Sequence, residues 1–343
     1  MPRNQRIFYA CQAVAIAPTG RNPLTANDVV HGVQSVGMTS TFTLDQVFEL
    51  GQLEIYENVE EVADIEVTIE KVIDGYKLLF DMASAGACKT DLVAATKARA
   101  DVHVAIFDDG LSNATGVPRN VCYNSGMAIS AISYSYSIDG NATESITLVG
   151  NDRFWNSTTA GVIGATPSNI FATNTNLVGA GGINGSDAPK SGVVRRADVD
   201  IAGSTIPVEV RAQGGDDPAS LAGISSNAHI QSINVSTDFG QENIQELGRF
   251  GPYTRFATFP VEVTCEFEVI ATSGDLISVS GSAPNLSDKT IIIKDTAGTV
   301  LNLGAKNKLT SVGYTGGDTG GGNATVTFSY SNFNSLTVNG GSD

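Results

Sequence analysis

The chain has 343 residues, enough for two domains that each bury a core of their own. Only 16% of the residues are charged and 37 are glycine, a balance that favours strands and turns over helices. The formal net charge of −16 argues against a protein that grips nucleic acid or anionic membranes, because such contacts need clusters of lysine and arginine.

The cysteines and the amino terminus narrow the class of protein further. Cys11, Cys88, Cys122 and Cys265 show no Cys-x-x-Cys spacing, so we expect buried free thiols instead of a zinc site or a redox pair. Residues 1–16 lack the apolar run of a signal peptide, and no stretch approaches the ~20 apolar residues of a membrane span. We therefore expect a protein that is made in a cytoplasm, with no cofactor, no bound metal and no membrane contact.

The first clear strand covers residues 65–70, where apolar side chains alternate with Glu66, Thr68 and Glu70. An apolar side chain at every second position is typical of a strand with one buried face and one face in water. The sequence therefore predicts a sheet that is wetted on one side.

The elements that follow are a helix, a hairpin and a linker. Residues 91–100 are good helix formers, and Thr90 could cap them. Alternation returns over residues 132–138 and leads through a turn into residues 145–149, which predicts a hairpin. Residues 154–191 are rich in small polar residues with weak periodicity, so we predict a linker or surface loop there.

The second half of the chain repeats the first. Residues 33–36 match residues 230–233, and the correspondence then continues without a gap until Tyr56 falls on Tyr253. Self-similarity of this length points to an internal duplication.

The strand with alternating acidic residues also has a counterpart. After a slip of one residue, residues 65–68 match residues 261–264, and Glu70 falls on Glu266. Both copies therefore carry an acidic strand at the same stage of the fold.

A later block completes the duplication, because residues 129–134 resemble residues 309–314. We predict a first domain over residues 1–153, the linker over 154–191 and a second domain over 192–343. The fold class is mainly β, with two tandem β-sandwich or barrel domains that each have at most one flanking helix.

Two segments between strands, residues 42–62 and 239–259, carry large apolar side chains. Exposed apolar loops of that size usually serve an interface. The candidates for contact with an adjacent subunit or ring are Phe48, Leu53, Ile55, Tyr56, Phe250, Tyr253 and Phe256. The alternative is that these side chains fold back onto their own sandwich.

The duplication and the alternating strands together suit a closed ring. A duplicated subunit can fill two quasi-equivalent places, so a trimer would imitate a hexamer. A wide barrel has an inner face that meets water, and we assign the polar positions of the clearest strands to that lumen. They are Glu66, Thr68, Glu70, Glu262, Thr264, Glu266 and Glu268. The alternative is an outer surface on which they only keep the protein soluble.

Residues 33–73 resemble the tail tube proteins of long-tailed bacteriophages, through the strand at 34–35, the turn at 49–51 and the strand at 65–68. The double copy is similar to the variant that packs as trimeric rings. The resemblance implies a β-sandwich with a flanking helix, strands that join a continuous inner barrel, and a long loop or hairpin that contacts the next ring.

The resemblance also implies a place and partners. The place is the tail of a virion, and the partners are other copies of the chain together with tape measure, terminator and baseplate or sheath proteins. DNA would pass through the tube without specific binding, because an acidic wall repels phosphates.

Two other classes of function are alternatives to a tail tube protein. An enzyme would need a catalytic constellation, but His31, His103 and His229 are isolated without metal-ligand spacing, and Ser125 lacks the glycine pattern of a nucleophile elbow. We therefore expect no enzyme activity. A decoration protein, adhesin or surface-layer subunit is the second rival, since β-sandwiches recur among them.

Overall fold

A computed structural model of the chain describes residues 6–20, 24, 26–84, 92–107, 118–157, 189–200, 206–211, 229–272, 274–275, 277, 279, 286–317, 319 and 321–340. These residues are mainly β, as the sequence predicts. The strands of the first half are β1 (Gln12–Pro18), β2 (Val33–Thr41), β3 (Leu44–Phe48), β4 (Ile55–Glu60), β5 (Asp64–Val72), β6 (Ala100–Ile106), β7 (Asn120–Ser137), β8 (Thr143–Gly150) and β9 (Asp152–Ser157).

The second half begins its own series of strands after residue 198. They are β10 (Val199–Asp200), β11 (Ile230–Asp238), β12 (Gln241–Ile244), β13 (Thr254–Ala257), β14 (Glu262–Ile270), β15 (Ile292–Asp295), β16 (Val300–Asn302), β17 (Lys308–Thr315), β18 (Thr325–Phe333) and β19 (Thr337–Asn339). The α-helices are α1 (Leu79–Ala83), α2 (Leu92–Ala95) and α3 (Val208–Arg211), and short 3-10 turns cover Tyr9–Cys11, Ala26–Asp28 and Arg196–Asp198.

One antiparallel sheet runs through both halves, in the order β2-β5-β8-β7-β11-β14-β18-β17. We call β2, β5, β8 and β7 repeat 1, and β11, β14, β18 and β17 repeat 2. The two repeats have the same internal order, and β7 pairs with β11 where they meet. We call this pairing the junction.

The hydrogen-bond register follows the same pattern in the two repeats. Pairing skips Gln34 in β2 and Gln231 in β11, which are matching positions in the duplicated sequence. It also skips Ser130 in β7 and Thr310 in β17. Bulges are specific features of a ladder, so their recurrence at matching places indicates one shared strand register.

The register also corrects the alignment of the two acidic strands. Glu70 lies opposite Ser35, and Glu268 lies opposite Ser232, so Glu70 corresponds to Glu268 and not to Glu266. The alignment from sequence was therefore wrong by two residues. A shift of two leaves every side chain on its own face, so alternation alone cannot detect it.

A second layer of strands packs against the apolar side of each repeat. In the first half it consists of β1, β6, the beginning of β7, and β9. In the second half it is a separate sheet in the order β10-β15-β16-β19. Buried side chains of both layers and both halves form one continuous core. Each half is thus a β-sandwich, and the described strands do not close into a barrel.

Strand β7 belongs to both layers of the first half. Its beginning pairs with β6 and β9, and its end pairs with β8 and β11. Gly126 lies where the partners change, at φ +62°, a conformation that favours glycine. Its N–H donates to Asp101 Oδ1 at 2.9 Å, which holds the backbone at the point where the strand partners change.

The first half has two short helices, whereas the sequence predicts at most one. Helix α1 was missed because its amino terminus is capped from a distant strand. The N–H groups of Leu79 and Phe80 donate to the carboxylate of Glu144 in β8, at 2.6 and 3.0 Å. Helix α2 lies inside the predicted residues 91–100 but is shorter, and Thr90 lies outside the described residues.

The boundaries between the halves also differ from the prediction. Residues 154–157 of the predicted linker belong to β9, which pairs with β7. Residues 158–188 lie outside the described part of the chain. Val194 is buried in the core, donates from its N–H to Ile73 O at 2.9 Å and accepts from Ala142 N at 2.8 Å. The chain therefore still packs on the first half after residue 192.

Candidate functional site

The side of the long sheet that faces away from the core is built from small polar and acidic side chains. Strands β2, β7, β8, β11, β17 and β18 present mostly serine and threonine there, whereas β5 and β14 present the acidic residues. We call this surface the polar face. Lys308, at the start of β17, is paired with Asp288 at 2.9 Å. The polar face therefore carries a negative charge.

All seven residues that the sequence assigns to the water-facing side lie on the polar face. Glu66, Glu262 and Glu266 are exposed, and Thr68, Glu70, Thr264 and Glu268 are partly exposed. Their apolar neighbours along each strand, such as Val67 and Phe267, are fully buried. Their orientation toward water is thus observed, and their place in a bore stays a prediction.

Cross-strand hydroxyl groups orient several of these carboxylates. Ser35 Oγ donates to Glu70 at 3.4 Å, and Ser232 Oγ donates to Glu268 at 3.2 Å, so this contact recurs in both repeats. Ser329 Oγ donates to Glu266 at 3.2 Å. The serines hold these carboxylates close to the sheet, where they present oxygen acceptors to water and repel other anions.

The two outer strands of the long sheet, β2 and β17, have no further strand partner among the described residues. Arg153 reaches the β2 edge from β9 and donates to Thr39 O at 3.2 Å. The matching strands inside the chain, β11 and β7, pair with each other at the junction, where Val235 lies opposite Tyr134. The outer strands β2 and β17 therefore correspond to the two strands that pair at the junction. This correspondence between the outer strands and the paired inner strands was not predicted from the sequence. The internal repeat was the signal from which it could have been predicted.

Two hairpins project from the repeats. The first hairpin is β3 with β4, and the second hairpin is β12 with β13. Both carry the apolar residues that the sequence assigns to ring stacking, and all are exposed: Phe48, Leu53, Ile55, Tyr56, Phe250, Tyr253 and Phe256. In the single chain, these side chains lie outside the buried core of their own sandwich. Their role in stacking stays a prediction.

Structural contacts hold three of the side chains that the sequence offers as candidates for an enzyme. His103 is buried, and burial lowers its pKa to about 4. His31 stacks on Tyr76 with ring centroids 4.1 Å apart, and Ser125 Oγ donates to Asp101 at 3.3 Å. Within the described ranges, no group of histidine, cysteine and acidic residues could hold a metal ion.

The cysteines and helices of the described residues can also be placed. Cys11, Cys122 and Cys265 are buried free thiols, as the sequence predicts, and burial raises the pKa of Cys122 to about 11. Cys88 lies outside the described residues. Among the helices of the described part, none is long and apolar enough for a membrane span.

Solved structures that are similar to part of this chain include the following two. One is a cryo-EM structure of the anti-feeding prophage baseplate, symmetrised six-fold, with 12% identity over 46% of this chain and 99% of that chain, at a TM-score of 0.33. The other is a cryo-EM structure of the PVC sheath-tube complex of an extracellular contractile injection system in its extended state, with 15% identity, 45% and 94% coverage and a TM-score of 0.32. Both TM-scores are low, and neither likeness carries an argument about function. No family model and no curated protein matches the sequence.

Proposed function

We propose that this chain is a structural virion protein whose copies form stacked rings, the tail tube of a long-tailed bacteriophage. One observation supports this proposal most strongly. The chain contains one complete junction between repeats, and its outer edges, β2 and β17, are the unpaired halves of another. Copies joined through these edges would continue the same sheet, and a repeated rotation at every junction closes a ring.

The layering of the sandwich favours the polar face as the inner wall of such a ring. The long sheet is continuous across both repeats, whereas the second layer is divided between the two halves. When a two-layered wall curves, its outer layer must cover the longer circumference. A divided layer suits the outside, and a continuous sheet suits the inside. The interior of a wide barrel of this kind meets water.

The chemistry of that wall suits a conduit for DNA. Binding to the DNA backbone depends on lysine and arginine that displace counterions from phosphates. The polar face instead offers carboxylates such as Glu66 and Glu266 among serine and threonine hydroxyls. DNA would pass such a wall without adhering to it. The function is structural rather than enzymatic, and tape measure, terminator and baseplate or sheath proteins are the further partners that we propose.

Negative-stain electron microscopy of the purified protein tests the proposal. We expect rings with an open centre, and stacks of rings at higher protein concentration. Size-exclusion chromatography of the same sample should show an assembly larger than the monomer. Separate particles at every concentration would contradict the proposal and favour a decoration protein, an adhesin or a surface-layer subunit.

Ring stacking gives a separate prediction. Ile55→Asp places a charge on the first hairpin, where the side chain is 42% exposed in the single chain. We expect rings to form but not to stack, because a buried unpaired carboxylate would disfavour the contact between rings. The length of tubes in electron micrographs measures the effect. Gln52→Asp, a change at an exposed polar position in the same hairpin, should leave tube growth unchanged.

A further inference from the structure

Matching residues of the two repeats differ sharply in exposure at the edge of the sheet. Phe239 follows β11 and is 1% exposed, and its N–H donates to Ser130 O in β7 at 2.7 Å. Phe42 follows β2 at the matching position and is 73% exposed. Strand β7 thus supplies the neighbour that helps to bury Phe239, and the place beside Phe42 is open.

The opposite edge shows the same contrast. Tyr134 in β7 lies opposite Val235 at the junction and is 1% exposed. Its counterpart Tyr314 in β17 is 54% exposed. An aromatic side chain that is buried at one junction and open at the matching edge indicates an interface that the single chain leaves unfilled.

The second hairpin is fastened to repeat 1 next to the junction. Arg255 in β13 donates to Asp64 Oδ1 at 2.7 Å and to Asn151 Oδ1 at 3.1 Å, and the Arg99 guanidinium donates to Arg255 O. The first hairpin carries Asn58 at the place of Arg255.

The matching surface on repeat 2 has a different chemistry. The strand register places Glu262 where repeat 1 has Asp64, and Phe333 where repeat 1 has Asn151. Phe333 is 57% exposed. The Asn58 amide can donate to the Glu262 carboxylate, and Phe333 offers an apolar contact. On repeat 2, the surface that corresponds to the contact site of Arg255 on repeat 1 is therefore suited to Asn58 and the first hairpin.

We propose that β2 pairs with β17 of a second copy of this chain, in the register of the internal junction. That register places Met38 opposite Tyr314 and Thr41 opposite Ser311, and it buries Phe42 beside Thr310 of the second copy. The first hairpin then lies on repeat 2 of that copy. This inference rests on the proposed assembly into rings and adds the partner strand, its register and the residues that it buries.

Other registers conflict with features of both strands. A slip of one residue would turn the polar face of one copy toward the core of the other. A slip of two would keep the faces but move Phe42 away from the bulge at Thr310, which matches the bulge at Ser130 beside Phe239. In the proposed register, Phe42 lies beside the bulge at Thr310, and Tyr314 lies opposite Met38. Their counterparts Phe239 and Tyr134 have the corresponding neighbours inside the chain.

Disulfide cross-linking between copies tests the register. We would mix a Thr41→Cys variant with a Ser311→Cys variant of the full chain, both with Cys88→Ser, and oxidise the assembled rings. Directly opposite side chains on antiparallel strands lie close enough for a disulfide, and diagonal ones lie further apart. Thr41→Cys with Gly313→Cys is the matched control, displaced by two residues. We expect at least about tenfold more covalent dimer from the first mixture, given that difference in separation.

The outcomes separate the two proposals. Rings without the Thr41–Ser311 cross-link, or with a stronger Thr41–Gly313 cross-link, would overturn the register and leave the assembly into rings intact. Absence of both rings and cross-links would overturn both proposals.

A Phe42→Asp variant gives a second measurement, because Phe42 is exposed in the single chain and the variant should fold normally by circular dichroism. We expect association to weaken by about 30-fold or more, as for a central aromatic residue of an interface. Tyr9→Asp, at a similarly exposed aromatic position outside both hairpins and both outer strands, should leave association within the ring unchanged.

Discussion

Tubes built from a chain with Glu66, Glu70, Glu266 and Glu268 changed to lysine should retain double-stranded DNA at low salt, whereas wild-type tubes should release it. These four side chains lie on the polar face, and their apolar neighbours form the core, so the substitutions should leave folding and assembly intact. Each lysine that meets a phosphate releases counterions, which makes binding strong at low salt and weak at high salt. Genome ejection through such tubes should therefore slow, most of all at low ionic strength.

The measurement is DNA retention by purified tubes across a range of salt concentration. For lysine-lined tubes, we expect the binding constant to fall by at least about 10³-fold between 50 and 200 mM salt. Glutamine at the same four positions is the control, because it removes the negative charge without adding a cation, and it should cause no such retention. Equal DNA release from wild-type and lysine tubes at low salt would contradict a place for these residues in the bore.

Glu144→Leu should lower the free energy of unfolding by about 3 kcal/mol or more. The Glu144 carboxylate is fully buried and accepts from the N–H groups of Leu79 and Phe80 and from the Tyr134 hydroxyl, the last at 2.9 Å. Leucine would leave all three donors unpaired inside the core, and it would remove the negative charge that faces Lys71. Urea unfolding of the unassembled chain, followed by circular dichroism, measures the loss.

Repeat 2 supplies an internal comparison for this substitution. The cross-strand pair of Lys71 and Glu144 corresponds to Val269 and Val326, which are fully buried. An apolar side chain therefore fits that place in the sheet, and the expected cost arises from the unpaired donors. Val326→Ala, as a control, should destabilise through lost volume alone. A loss below about 1 kcal/mol for Glu144→Leu, less than the typical net contribution of one hydrogen bond, would contradict the capping role.

The pH dependence of stability separates the charge of Glu144 from its hydrogen bonds. Burial raises the pKa of Glu144 above the ordinary glutamate value, and the charge of Lys71 opposes that shift. The folded state therefore holds the proton more tightly than the unfolded state does. The resulting stability is fully present below the ordinary pKa and is lost as pH rises through the folded pKa. Glu144→Gln keeps an acceptor oxygen, so it should cost less than leucine and should remove this pH dependence.

Much of the sheet could be predicted from local sequence because alternation is a local signal. The acidic faces of β5 and β14 were predicted in this way. The duplication was predicted by comparing the two halves of the sequence, and the interface segments were predicted from their large apolar side chains. The two-residue error in aligning β5 with β14 came from the alternation signal, since a period of two looks alike after a shift of two. Only the pairing of Ser35 with Glu70 and of Ser232 with Glu268 fixes the alignment.

Features that depend on distant partners could not be predicted from local patterns. Helix α1 is capped by Glu144 from another strand, and β9 forms because β7 lies beside it. The unequal exposure of Phe42 and Phe239 depends on which strand lies next to each edge. The sequence showed two equal phenylalanines, and the strand order determines that one is buried within the chain and the other is left for a partner.

The double role of β7 has a consequence for folding during synthesis. Strand β7 ends at Ser137 and can pair with β6, β8 and β9 as soon as residue 157 has been made, but β11 begins only at Ile230. Until the ribosome has added that later segment, the growing chain exposes the β7 edge. By the correspondence of β2 with β11, the edge of a finished neighbour could occupy it and divert nascent chains into mispaired aggregates. Slow translation between residues 158 and 229 would prolong this exposure, so the rate of synthesis over that stretch should influence the yield of assembled protein.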